Sequence, residues 1–189
     1  MHQVQGSRRV PLGLAHPGRV LVAVAASILL VDQITKAIVR AYMQTDQTVG
    51  LIPYVIRLTL VRNTGAAFGI FPGRQPVFVI TSLLVLFAIA AYWRRARPRE
   101  WLVVVALAMI AGGALGNLID RALIGRVTDF FEFAFVDFPV FNVADMAIVG
   151  GVGALMVWVL FGPEPTYPAE ADADDSEPTA PPPAESLGP

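Results

Sequence analysis

The sequence contains no cysteine and very little histidine. It has 189 residues, and its only histidines are His2 and His16. The lack of thiols excludes disulfides, thiolate nucleophiles and thiolate metal sites. Both histidines precede the first long apolar segment. A Ser–His triad or a histidine-ligated zinc is therefore excluded from the opposite side of any membrane that this segment spans.

Lysine is equally scarce, since Lys36 is the single lysine in the chain. A Ser–Lys catalytic pair would need a serine close by. Ser27 lies nine residues before Lys36, which is more than two turns along a helix. The side chains that remain for chemistry beyond the first apolar segment are carboxylates, amides, arginines and this one lysine.

Apolar residues dominate the composition. They make up 55% of the chain, and the mean hydropathy is +0.60. Four apolar runs are each long enough to cross a bilayer, which needs about 20 residues. They lie near residues 20–41, 75–93, 101–119 and 141–161. The pattern predicts an all-α integral membrane domain that occupies residues 20–161.

Two tails flank this domain, at residues 1–19 and 162–189. The C-terminal tail holds seven of the fifteen acidic residues, has no basic residue and is rich in proline and alanine. Such a segment cannot bury a core, so we expect it to be disordered. The rest of the chain has fourteen basic and eight acidic residues, a net charge of +6. Its arginines flank apolar runs as membrane anchors, and no nucleic-acid partner is expected.

The distribution of arginine predicts the orientation in the membrane. Four arginines crowd the short link at 94–99, and three more precede the first span. The positive-inside rule then places both termini in the cytoplasm and the links at 42–74 and 120–140 outside. A cleaved signal peptide is the alternative for the first span. The small-x-small site at Ala23–Ala25 comes too early for that, before a full apolar region has passed.

Ionisable residues lie at the outer ends of these spans. Such residues are costly at membrane depth, so each one is a functional hypothesis. Asp32 and Lys36 are four residues apart on the first span and can pair on one helix face. Other polar residues lie there as well: Asn117, Asp120 and Arg121 at the end of the third span, Asp129 in the second outer link, and Asn142 and Asp145 at the start of the fourth. Two converging carboxylates are typical of an aspartyl hydrolase, in which one acid is protonated and the other ionised.

The outer links have patterns of their own. Ile56, Leu58 and Leu60 alternate with polar residues, which predicts a strand with one apolar face. A turn-like stretch of small residues follows, over 62–69. The second link is rich in phenylalanine, at Phe130, Phe131, Phe133, Phe135 and Phe138. We expect these rings to anchor the link at the membrane interface, with substrate contact as the alternative.

Five sequence blocks resemble, in order, the signatures of bacterial lipoprotein signal peptidase, also called signal peptidase II. The blocks are Asp32-Gln33-x-x-Lys36, Asn63–Phe68, Gly112–Arg121, Gly125–Phe130 and Phe141–Asp145. The resemblance implies a membrane aspartyl peptidase with four transmembrane helices, a small extracytoplasmic β-cradle and a short interfacial helix. It also implies removal of the signal peptide from prolipoproteins just before a diacylglyceryl-modified cysteine, and inhibition by globomycin.

The same resemblance assigns the site. It implies that Asp129 and Asp145 are the catalytic pair. Supporting or substrate-binding positions match Asp32, Lys36, Asn63, Gly113, Asn117, Asp120, Arg121, Asn142 and Ala144. Thr128 departs from the pattern, where an aliphatic residue is more frequent. Glu132 and Asp137 have no counterpart and are interpreted as exposed interfacial charges. The expected partners are the modified prolipoproteins and membrane lipid, with no cofactor or metal and a monomeric enzyme.

The residues by themselves leave other functions open. A small proton-coupled transporter would also place charged residues in helices, although it needs them through the full depth of the membrane. A structural protein whose polar cluster holds helices together is a second alternative. Within the peptidase hypothesis, Asp120 is the rival of Asp129. Its neighbours Asn117 and Arg121 suit an ionised, structural carboxylate, so Asp129 is preferred.

Overall fold

The computed structural model describes residues 16–65 and 75–162, which form four long helices and one small sheet. In chain order, the elements are α1 (Pro17–Tyr42), β1 (Thr48–Ile52), β2 (Ile56–Asn63), α2 (Gln75–Ala96), α3 (Trp101–Ile124), β3 (Val127–Phe133) and α4 (Val143–Phe161). All four helices are long and apolar enough to cross a membrane. The predicted fold class, a four-helix membrane protein with a small sheet, is confirmed.

Helix α3 is the centre of the bundle. It contributes thirteen buried residues, whereas α2 contributes none and presents its apolar side chains outward. The helix continues to Ile124, five residues past the predicted end of the span, and stops at Gly125. Gly125 has φ of +74°, the left-handed conformation in which glycine commonly ends helices. The polar residues 117–121 therefore lie on regular helix, in the last two turns.

Two glycines allow the neighbours of α3 to approach its backbone. A Cβ added at Gly113 would collide with the carbonyl oxygen of Ala144, and one added at Gly116 would collide with the carboxylate of Asp32. Larger residues at either position would push α4 or α1 away. The glycine-rich stretch thus brings the polar end of α3 against both α1 and α4.

The strands form an antiparallel sheet in the order β1-β2-β3. The predicted strand at 56–60 is present as the first part of β2. Strand β3 was not predicted, because residues 127–133 are nearly all apolar or aromatic after Asp129 and show no alternation of polar and apolar side chains. Its burial has a structural reason: one edge pairs with β2, and Phe131 also bridges to Phe141.

A bulge in β2 decides which side chain faces Asp129. Leu58 pairs with Phe131 and Val61 with Asp129, so three steps along β2 match two along β3. An extra residue of this kind reverses which side chains share a face. Beyond the bulge Asn63 pairs with Val127 and lies on the face of Asp129. In an unbroken register Arg62 would take that place.

Several predictions concern residues outside the described ranges. These residues are the tail before residue 16, the tail after residue 162 and the second half of the turn-like stretch at 62–69. Within 16–65 and 75–162, no helix is present besides the four long ones. The short interfacial helix therefore stays a prediction.

Candidate active site

Asp145 is held at the start of α4 by a reciprocal cap. Asn142 is the N-cap residue: its Oδ1 accepts from the backbone N–H of Asp145 at 3.0 Å. In return, the Asp145 carboxylate accepts from the backbone N–H of Asn142 at 3.1 Å. This is a capping box, with aspartate at the third helical position in place of the usual glutamate or glutamine. The cap fixes the direction of the Asp145 side chain.

The second aspartate, Asp129, lies on β3 with only 2% of its surface exposed. The side-chain amide of Asn142 donates to its Oδ1 at 2.6 Å. The amide of Asn63, turned inward by the bulge, donates to its Oδ2 at 2.9 Å. Asn142 thus bonds both carboxylates, one through its side chain and one through its backbone. The structure brings Asp129 and Asp145 together, as the sequence predicts.

Asn117 connects the pair to α3. Its Nδ2 donates to Oδ1 of Asp145 at 2.8 Å. Its Oδ1 accepts from Nζ of Lys36 at 3.0 Å and from the amide of Asn142 at 3.1 Å. Because Lys36 can only donate, it sets the orientation of the Asn117 amide, and the NH2 group must then point toward Asp145.

A buried ion cluster lies behind these amides. Asp32, Lys36 and Asp120 all have 0% exposure. Nζ of Lys36 is 2.9 Å from Asp32 and 3.5 Å from Asp120. The other oxygen of Asp32 accepts from the backbone N–H of Ala144 at 2.9 Å. Buried charges are tolerated only with such pairing, since each ion loses several kcal/mol of hydration, to order of magnitude.

The partners of Asp120 differ from those expected. The spacing along the third span predicts Asn117 and Arg121 as its partners. Among the described residues its ion pairs are instead with Lys36 and Arg40, and it accepts from the backbone N–H of Thr128 at 2.9 Å. Consecutive helix residues point about 100° apart, so Asp120 turns toward α1 while Arg121 does not. Asp120 is an ion-paired carboxylate one step removed from the aspartate pair.

Arg121 points to a different side of α3 from Asp120 and lines a cavity. Its guanidinium lies 5.3 Å from the ring centre of Phe78, a cation–π distance. Its Nε is buried and has no hydrogen-bond partner in the described part of the chain. Arg121 thus lines the cavity beside the two aspartates and has one unsatisfied donor.

The cavity next to the aspartates has a volume of about 640 Å³. Its polar side chains are Asn63, Arg121, Asp129 and Asp145. The remainder of the wall is apolar or glycine and comprises Gly65, Val127, Phe133, Phe138, Pro139, Val140, Phe141, Met146, Ile148, Val149 and Gly150. A largely apolar pocket with a few converging polar groups is typical of a small-molecule or peptide site.

The phenylalanines of the second link divide into different environments. Phe133 and Phe138 line the cavity, which agrees with the alternative of substrate contact. Phe135 is 67% exposed and fits an interfacial anchor. Phe130 is buried against Val39 and Leu60. The expectation of a single interfacial surface is corrected, because the strand alternates its side chains between opposite faces.

The charge of Asp129 is strongly affected by its surroundings. Burial is the largest cause, and the nearby Asp145 carboxylate is the second; together they raise the pKa of Asp129 to about 6. Hydrogen bonds from Asn63 and Asn142 oppose this rise. Two adjacent carboxylates cannot both ionise easily, so the pair titrates as a unit with a shared proton.

Glu132 is also corrected. It was expected as an exposed interfacial charge, but it accepts hydrogen bonds from Thr59 and Arg57 across the sheet. The Thr59 hydroxyl is the main cause that holds the pKa of Glu132 below its usual range, and Arg57 adds to it. Glu132, Arg57 and Thr59 thus form a polar cluster on the sheet. Asp137 is exposed, as expected.

Two contributing residues, Gln33 and Arg40, were not identified as site residues from the sequence. Gln33 donates to the carbonyl of Gly116 and to Asp32, both at 3.1 Å. Arg40 pairs with Asp120 and donates to the hydroxyl of Thr128 at 2.9 Å. A signal for Arg40 was available, because it continues the four-residue spacing of Asp32 and Lys36 along one helix face.

Comparison with known proteins identifies this arrangement. The family model described as signal peptidase (SPase) II matches residues 24–161. The chain belongs to the signal peptidase II family. A "Lipoprotein signal peptidase" of Brevibacillus brevis is 42% identical over 134 residues, which are 71% of this chain and 90% of that protein. One of Pelotomaculum thermopropionicum is 40% identical over 140 residues, 74% of this chain and 90% of that protein.

Two solved structures of bacterial membrane enzymes are also similar to this chain. One titled as a bacterial membrane enzyme at 2.3 Å resolution superposes with a TM-score of 0.71 and 33% identity, over 74% of this chain and 87% of that one. A second, at 1.9 Å, has a TM-score of 0.70 and 32% identity, over 76% and 94%. The family resemblance of the five blocks is confirmed. This chain is a membrane peptidase of the signal peptidase II family.

Proposed function

We propose that this protein is an aspartyl endopeptidase that removes the signal peptide from bacterial prolipoproteins, cleaving before a diacylglyceryl-modified cysteine. The observation that carries the proposal is the pair of Asp129 and Asp145, bridged by Asn142 at the wall of an apolar cavity. An acid–base pair at the edge of an apolar pocket is what hydrolysis of a lipid-linked peptide requires.

In this mechanism one proton is shared by the two carboxylates. The protonated member of the pair polarises the scissile carbonyl. The ionised member takes a proton from the attacking water, whose oxygen forms the new C–O bond. Protonation of the leaving nitrogen then accompanies cleavage of the C–N bond. The products are a carboxylic acid and the amine of the modified cysteine.

The amides and Arg121 have separate roles in this scheme. Asn63, Asn117 and Asn142 hold the carboxylate oxygens in place, because each donates to one of them. The side chain of Arg121 lines the cavity beside the two aspartates. We assign its guanidinium to a backbone carbonyl of the bound substrate.

The membrane determines how a lipid-modified substrate must lie in the site. A diacylglyceryl group must stay among lipid tails while the adjacent peptide bond reaches the aspartates and water. The apolar wall formed by Met146, Ile148 and Val149 belongs to α4, a membrane-spanning helix. We therefore place the lipid part against α4 and the peptide part under the sheet. Both termini are assigned to the cytoplasm and the site to the outer face, with the enzyme acting as a monomer.

Turnover of a defined precursor tests the proposal. The purified full chain, in lipid or mild detergent, is given a synthetic diacylglyceryl-modified precursor, and the products are identified by mass spectrometry. We expect one cut immediately before the modified cysteine. The same peptide without the lipid group is the matched control and should be cut far more slowly. An active preparation that cuts elsewhere, or cuts both peptides equally, would overturn the proposed specificity.

A further inference from the structure

Arg40 and Thr128 form a contact between α1 and β3. Arg40 lies in the last turn of α1, and Thr128 is the residue before Asp129 on β3. In the structure Nη1 of Arg40 donates to Oγ1 of Thr128 at 2.9 Å. This hydrogen bond joins α1 to β3 immediately next to Asp129.

The contact is anchored on Asp120. Nη1 of Arg40 is also 3.5 Å from Oδ1 of Asp120. The other oxygen of Asp120 accepts from the backbone N–H of Thr128 at 2.9 Å. Thr128 is thus held twice, through its hydroxyl by Arg40 and through its backbone by Asp120. The next residue along β3 is Asp129, so these bonds fix the peptide unit that carries the proposed catalytic carboxylate.

Arg40 also balances the charge of the buried ion cluster. The cluster behind the site contains the buried carboxylates Asp32 and Asp120 but only one fully buried cation, Lys36. Arg40, with 31% of its side chain exposed, supplies the second positive charge. Thr128 is only 4% exposed, so its hydroxyl must find a partner within the protein. Arg40 and Thr128 satisfy each other.

We propose that Arg40 and Thr128 act as a pair of positioning residues that hold the β3 backbone so that Asp129 meets Asp145. This inference rests on the proposed peptidase function and deepens it. Neither side chain lines the cavity. Loss of the pair should therefore change the rate of the chemical step and leave substrate binding unaltered.

The test measures kcat and KM of the full-length enzyme with the lipid-modified precursor. Thr128→Val keeps the shape but removes the acceptor, and we expect kcat to fall about tenfold with KM unchanged within about twofold. Thr128→Ser restores the hydroxyl and should return kcat to near the wild-type value. Arg40→Met removes the same bond from the other end. The double variant should lose no more than the worse single variant.

Thr48→Val is the matched control, because Thr48 is an exposed strand residue whose hydroxyl contacts only Thr59 among the described residues. It should leave kcat unchanged. The inference is overturned if either folded single variant has the kcat of the wild type, or if the losses add in the double variant. In both cases an active wild-type enzyme still supports the proposed function. An inactive wild type would instead contradict the function itself. Loss of thermal stability at constant kcat per folded enzyme would mean a purely structural role.

Discussion

The side-chain amide of Asn142 donates a hydrogen bond of 2.6 Å to Oδ1 of Asp129. Since the same residue caps α4 and binds Asp145 through its backbone, it joins the strand that carries one carboxylate to the helix that carries the other. Asn142 is therefore the residue that links the two acids directly.

Substitutions of Asn142 separate its role as the N-cap of α4 from its hydrogen bond to Asp129. Serine is also a good N-cap but has no amide to donate to Asp129. We expect Asn142→Ser to retain near-normal stability and to lose about 100-fold in kcat. Asn142→Ala should lose the cap as well, with about 1 kcal/mol lower stability than the serine variant. Thermal unfolding and turnover are measured on the same preparations. A fully active Asn142→Ser variant would contradict the role assigned to the amide.

Removal of the buried cation should damage the fold. Lys36→Met leaves two buried carboxylates with only the partly exposed Arg40 to balance them, and we expect a loss of about 3–5 kcal/mol. Adding Asp120→Asn to this variant removes one of the unbalanced charges and should recover part of the stability. Equal stability of the wild type and Lys36→Met in detergent would show that the ion cluster does not hold the helices together.

Stability should vary with pH through Asp129. Its pKa is raised to about 6 in the folded protein from 3.8, so between those values the native state binds more protons than the unfolded state. The stabilisation is fully present below about pH 4 and is lost as the pH rises through about 6. Asp129→Asn cannot titrate, and its melting temperature should fall less steeply over this window. Parallel profiles for the two proteins would argue against the raised pKa.

Orientation in the membrane can be tested by labelling. The chain has no cysteine, so Thr48→Cys introduces a unique thiol on the exposed strand β1. A membrane-impermeant reagent should label it from the outside of intact cells or spheroplasts. Labelling only after the cytoplasmic face is opened would reverse the topology and move the site to the other side of the membrane.

The spans, strand β2 and the aspartate pair could be predicted because each has a local signal. The apolar runs, the alternation at 56–60 and the ordered blocks are all visible along the chain. Strand β3 could not be predicted in this way, since it is buried by pairing on both sides and has no alternating pattern. The bulge that turns Asn63 toward Asp129 depends on the pairing of β2 with β3, so neither segment alone predicts it.

The errors at Asp120 and Glu132 share a cause. Their ion-pair partners lie 75 to 84 residues away along the chain, on α1 for Asp120 and on β2 for Glu132. Sequence spacing suggests neighbours within one helix, so it favoured Asn117 and Arg121 for Asp120. Which of several plausible partners a buried charge takes depends on how the elements pack, and only the folded structure supplies that.

The most direct test of the account compares three conservative variants. Asp129→Asn and Asp145→Asn keep the size of the side chain but cannot exchange the shared proton. We expect each to lose several orders of magnitude in turnover while remaining folded, and the double variant to lose no more, because the two acids act as one unit. Asp120→Asn should reduce stability together with activity, since its role is to pair with Lys36 and Arg40.

The decisive measurement is turnover of the lipid-modified precursor, normalised to folded enzyme, for Asp129→Asn beside Asp120→Asn. The account predicts a folded but inactive Asp129→Asn enzyme, and a less stable Asp120→Asn enzyme that keeps measurable activity per folded molecule. A folded Asp129→Asn enzyme with near-normal turnover, beside an inactive and equally well-folded Asp120→Asn enzyme, would contradict it and transfer the catalytic role to Asp120.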